Sequence, residues 1–158
     1  MTTTLTITQA DLGNFTAGIE RTIAKHQNKI VGAMQDKLFE CIMGNFGPTG
    51  FDRPWPWYPL SAKYAKRVGR SYATMFVSGA LAGAVNKSGV ANGTASVSLD
   101  LGLEYAGAHH WGNPDGNRAH PGLPARRIMP VDSNDEVTPA TFLAVQEAAR
   151  DALREALR

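Results

Sequence analysis

Charge is scarce in this chain. Asp, Glu, Lys and Arg make up 19% of its 158 residues, and the formal net charge is +2. That balance is too small to announce a nucleic-acid binder, whose sign is a strong basic patch, although a local cluster stays open. Cysteine is nearly absent. Cys41 stands alone, which excludes an intrachain disulfide and a cysteine-based zinc cluster and agrees with folding in a reducing cytoplasm. No apolar run approaches the roughly 18–20 residues that span a bilayer. The start, Met1 to Ile7, has neither a basic stretch nor an apolar signal core. The expectation is a soluble chain with no membrane contact, made in the cytoplasm.

Catalytic signatures are missing too. Gly79-Ala80-Leu81-Ala82-Gly83 is not followed by Lys and Ser or Thr, so there is no phosphate-binding loop. No Gly-x-Ser-x-Gly elbow occurs, and nothing near Ser78 in sequence would activate its hydroxyl. The segment from His109 to His120 holds the residue types of a metal-dependent His-Asn-His nuclease: His109, His110, Asn117 and His120. Their spacing does not fit, because those roles are spread over a hairpin and a helix. No carboxylate cluster and no His-x-x-x-His pair accompanies them. A nuclease or a DNA-binding packaging accessory is the alternative reading of this segment. The preferred reading has no catalytic residue, no metal and no cofactor, with His109 and His110 packing or capping a helix end.

What is present is globular text. Apolar residues reach 43%, enough for a single domain over 1–158. An arm and long helix are predicted over about 8–43, where Leu12, Phe15, Ile19, Ile23, Ile30, Met34, Leu38 and Cys41 or Ile42 form one apolar stripe. Thr8 with Asp11 resembles a capping box. Such a helix is about 50 Å long. A domain of this size is about 30–40 Å across. The helix therefore breaks near Gly32 or projects onto a neighbouring subunit. A Pro/Trp-rich linker follows over about 44–60. Its aromatics Trp55, Trp57 and Tyr58 are candidate interface anchors, with Trp57 leaning to the core. Ser61 caps a short helix with Tyr64 and Val68 facing inward. Lys63, Lys66, Arg67 and Arg70 make that helix basic, facing DNA, a partner or plain solvent.

A β-rich core is predicted over about 75–130. Asn92-Gly93 is a hairpin signal, followed by alternation of Ala95, Val97, Leu99 and Leu101 with polar residues. Ala84 to Val90 is the expected partner strand, and Glu104 to Trp111 reads as a helical turn or two. Arg126 to Pro130 reads as extended, with Arg126 and Arg127 as candidate inter-subunit pairing groups. Thr138-Pro139 opens a C-terminal helix over about 138–157, with Phe142, Val145, Ala149, Ala152 and Ala156 on one face. The order of elements specifies an α+β fold: a long N-terminal helix and a C-terminal helix packed on a small antiparallel β-sheet, with extended loops.

Several short motifs resemble, in the same order, those of the virion-morphogenesis or tail-completion proteins of tailed bacteriophages. They are Pro56-Trp57-Tyr58-Pro59-Leu60-Ser61 with Tyr64, Ser78-Gly79-Ala80-Leu81, Tyr105-Ala106 with His109 or His110 and Gly112, and Pro124-Ala125-Arg126-Arg127 with Pro130. Arg127-Ile128-Met129 stands where that family has Arg-Pro-Phe or Arg-Phe-Leu. The resemblance implies a structural subunit without enzymatic activity, placed in the tail or neck region of the virion. It implies a ring of this chain, hexamer or dodecamer. It also implies contact with the tail tube or terminator and with the head connector. Contact with genomic DNA in the lumen stays open.

Overall fold

The computed structural model describes residues 9–46, 60–69, 79–100, 102–112, 125–132 and 134–158. The fold is α+β, with long N- and C-terminal helices and, among the described residues, a small two-stranded antiparallel sheet. Helix α1 runs unbroken from Gln9 to Gly44, so Gly32 does not interrupt it. At about 1.5 Å per residue its 36 residues span about 54 Å. Helix α5, Pro139–Ala156, lies along α1 and forms the largest interface between elements. It runs antiparallel: Glu155 pairs with Lys29 at 3.0 Å, while Glu147 acts on the ammonium of Lys37 further along α1. The α5 face toward α1 carries Ala144, Val145, Ala148, Ala149 and Ala152, buried or half-buried. Small side chains there let the two helices close together. Pro139 takes the first helical position as expected. Thr138 holds the N-cap position without a side-chain cap bond, and its backbone N–H donates to Pro130 O at 2.8 Å.

The sheet is shorter than the alternation suggests. Strand β1, Val85–Lys87, pairs with β2, Val97–Leu99, with Val85 opposite Leu99 and Lys87 opposite Val97. The Asn92-Gly93 turn forms, with both residues at positive φ (51° and 68°) and paired hydrogen bonds between Ala91 and Thr94. These are the angles a type I′ hairpin requires. Ala95, Val97 and Leu99 form the drier face, as their alternation indicates. Part of the stretch read as β is helical: Ala80–Gly83 forms the single turn α3, entered through Gly79 at φ 81°. Helix α4 spans Glu104–Trp111. Arg126 to Pro130 is not a strand. It passes through bends into a single bridge between Val131 and Val137.

All of this converges on the C-terminal end of α1. Ile42 and Phe46 meet Leu81, Ala82, Val85, Ala106 and Ile128 in one buried cluster. Gln35 pins the hairpin to α1. Its Nε2 donates to Ser88 O at 3.0 Å and to Ser96 O at 2.8 Å. Lys87 adds an ion pair to Asp36 at 2.7 Å. At the hairpin tip, Gly93 N–H donates to Asn28 Oδ1 at 2.8 Å.

One inward assignment needs correction. Tyr64 and Val68 of helix α2, Ala62–Val68, are exposed, because this seven-residue helix carries no buried residue at all. Phe142 is exposed as well, along with Leu143. The alanine face of α5 meets α1, and a bulky ring is left outside that close contact.

Candidate functional site

The apolar stripe of α1 is continuous in sequence, but its cover is graded. Ile42 is fully buried, and Leu38, Met34 and Ile30 are half-buried. Ile23 is 41% exposed and Phe15 68% exposed, with Ile19 between them half-buried. The ties described above reach no further toward the N-terminus than Asn28 and Lys29. Upstream, Arg21 Nε donates to Ala17 O and Thr22 Oγ1 to Gly18 O, within the helix itself. The side chain of Leu12 lies outside the described residues, as do Thr8 and the side chain of Asp11. Phe15 and Ile23 lie eight positions apart, two full turns plus about 80°, so they fall within one broad apolar stripe about 100° wide. Two further apolar groups stand open beside the core: Phe142 and Leu143 on α5, and Trp111 at the end of α4. Leu143 was not singled out from sequence. The available signal was the adjacency of two bulky groups one helical step, about 100°, apart beside an alanine stripe.

The histidine segment is built as a latch. His110 is 4% exposed, and its Nδ1 accepts from Ile128 N–H at 2.9 Å. Arg126 N–H donates to His109 O at 2.7 Å, so α4 holds the 125–130 segment at two points. Burial, aided by the Arg127 cation and opposed by Asp135, lowers the His110 pKa from 6.5 to about 4. Neutral imidazole is the state that accepts at Nδ1, so burial and hydrogen bonding agree. Trp111 packs edge-on to His110 with centroids 4.9 Å apart. Asn117 and His120 lie outside the described residues. Among the described residues, no group of His, Cys, Asp or Glu is arranged to hold a metal. The Cys41 thiol is pushed above its ordinary pKa chiefly by burial, which disfavours the thiolate.

Arg126 is buried, and desolvation lowers its pKa. Arg127 Nη1 pairs with Asp135 Oδ1 of the same chain at 2.8 Å. The two neighbouring arginines thus sit differently, one within the fold and one at its edge. Trp55, Trp57, Tyr58 and Arg70 lie outside the described residues. Lys63, Lys66 and Arg67 are exposed on α2, whose cap forms as expected: Tyr64 N–H donates to Ser61 Oγ at 3.3 Å. The Arg67 guanidinium lies 4.7 Å from the Tyr64 ring centroid.

Comparison with protein-family models, with curated proteins and with solved structures finds no match.

Proposed function

We propose that this chain is a structural subunit of a tailed-bacteriophage virion, acting as an oligomeric ring that completes the tail or joins it to the head connector. In this reading it has no catalytic role. It works in the neck region of the particle after assembly in the host cytoplasm. The observation that carries the reading is the overshoot of α1. Its C-terminal half is held by the hairpin and α5, while Phe15 and Ile23 stand exposed on the face that continues the core stripe. Covering such side chains fully is worth about 1.5–3 kcal/mol each, and a second copy of the chain supplies the cover.

The motif residues support a structural role over a chemical one. Ser61 caps α2, Leu81 and Ala106 fill the core, and His110 latches α4 to the segment after Arg126. Each has a part in holding the fold together. The reading also assigns a role to each half of α1, one intramolecular and one between subunits.

Light scattering on the purified chain tests it directly. The expected result is a discrete oligomer that Phe15→Asp with Ile23→Asp converts to a folded monomer, and incorporation of the wild-type chain into purified phage tails. A wild-type chain that stays monomeric and is absent from virions overturns the proposal.

A further inference from the structure

We propose that α2 is a docking face for the phosphodiester backbone of double-stranded DNA. The cations of this chain divide by how they are paired. Lys29, Lys37, Lys87, Arg127 and Arg154 each have a carboxylate oxygen within 3.0 Å. Lys63, Lys66 and Arg67 have no such partner among the described residues; the exposed Arg21, Lys25, Arg150 and Arg158 have none either, but among the described residues only α2 gathers three such cations within five positions. Positions 63, 66 and 67 are three and four apart, so the three charges share a face and repel one another. A seven-residue helix has little intrinsic stability to offset that repulsion.

Helix electrostatics account for only part of the pattern. Lys66 and Arg67 lie in the last turn, where the helix dipole favours cations. Lys63 lies in the first turn, where the dipole opposes a cation, and that turn carries no acidic residue. A polyanion removes both costs at once. The geometry fits a duplex: α2 is about 10 Å long, against about 3.4 Å of axis per phosphate on one strand, so three cations face about three phosphates. Stacking on Tyr64 restrains the Arg67 guanidinium, which lowers the ordering cost of a contact. The choice of DNA over RNA rests on the proposed virion role.

The test uses the intact chain and a labelled DNA duplex followed by fluorescence anisotropy. Three phosphate contacts per bound chain give a log–log salt slope of about −2.7, or about 40-fold weaker binding between about 50 and 200 mM salt. Lys63→Gln with Lys66→Gln and Arg67→Gln is expected to abolish that slope, while Lys63→Arg with Lys66→Arg retains it. Circular dichroism and light scattering on the same samples are expected to show fold and oligomeric state unchanged. A failure of DNA binding is thereby separated from a failure of assembly. The proposal is overturned by a wild-type chain that does not bind the duplex, or by a neutralised variant with the original slope. It is equally overturned by an RNA duplex bound more tightly than DNA, or by an acidic peptide bound as tightly as the duplex.

Discussion

The substitution Gln35→Glu is the sharpest probe of how the hairpin is held on α1. Gln35 is 7% exposed, and its amide nitrogen faces two backbone carbonyls at 3.0 and 2.8 Å. Both partners are acceptors only, so the nitrogen, not the oxygen, has to occupy that position. A glutamate side chain has nearly the same shape but puts a carboxylate oxygen there. Two hydrogen bonds are lost, at about 0.5–1.5 kcal/mol each, and a charged oxygen opposes two carbonyls at a further cost of about 1–3 kcal/mol. The expected loss at pH 7 is about 3–5 kcal/mol, a large share of the roughly 5–15 kcal/mol that holds a domain folded. The loss depends on pH in a defined direction. Carbonyl oxygens disfavour the charged form, so the folded pKa of the introduced carboxyl rises above its unfolded value of about 4.3. Below that value both states are protonated and the acid can donate one bond, so the penalty is smallest. It grows as pH rises from the unfolded to the folded pKa. Urea titrations followed by far-UV circular dichroism, wild type and variant at matched pH, read this difference. A penalty below about 1 kcal/mol at pH 7, with no pH dependence, would refute the assignment of Gln35 as the hairpin's anchor.

Two further outcomes follow from the core and the latch. Ile42 is fully buried where the elements converge, so Ile42→Ala is expected to cost about 2–5 kcal/mol in the same titration. His110 carries a pKa lowered from 6.5 to about 4, so protonation favours the unfolded chain. Its contribution is complete above about pH 6.5 and is lost as pH falls toward 4, a change of about 3 kcal/mol. His110→Asn is expected to flatten the pH dependence of stability within that window, and an unchanged profile would count against the latch.

Local patterns carry most of the fold. Asn92-Gly93 encodes its turn through positive φ, and Thr138-Pro139 encodes a helix start through a fixed φ, so both are legible without tertiary context. Alternation after the turn locates the drier face of β2 but overestimates the sheet. Alternation reports two-sidedness, while strand length depends on a partner, and β1 pairs over three residues. The α3 turn is hidden because Ala80 to Gly83 has no periodicity of either kind. Phe142 shows a related difference between pattern and packing. Hydrophobicity puts it on the inner face, yet close helix packing selects small side chains, and the alanines of α5 take that position. Gln35 gives no signal, since a polar residue within a helical stripe looks like solvated surface until a hairpin is laid against it.

The long helix shows how far an apolar stripe can be read. Spacing at three and four fixes which face of α1 is covered but not by what. Helix lengths supply the missing constraint. The 18 residues of α5 run about 27 Å against the roughly 54 Å of α1, and the antiparallel pair begins at Lys29. The hairpin reaches the same level through Asn28. Both partners therefore stop about halfway along a stripe that continues past Ile23 to Phe15. In the proposed assembly this mismatch locates the neighbouring subunit upstream of Asn28, on the Phe15–Ile23 face. It also explains why a substitution there is expected to separate subunits without unfolding the core around Ile42.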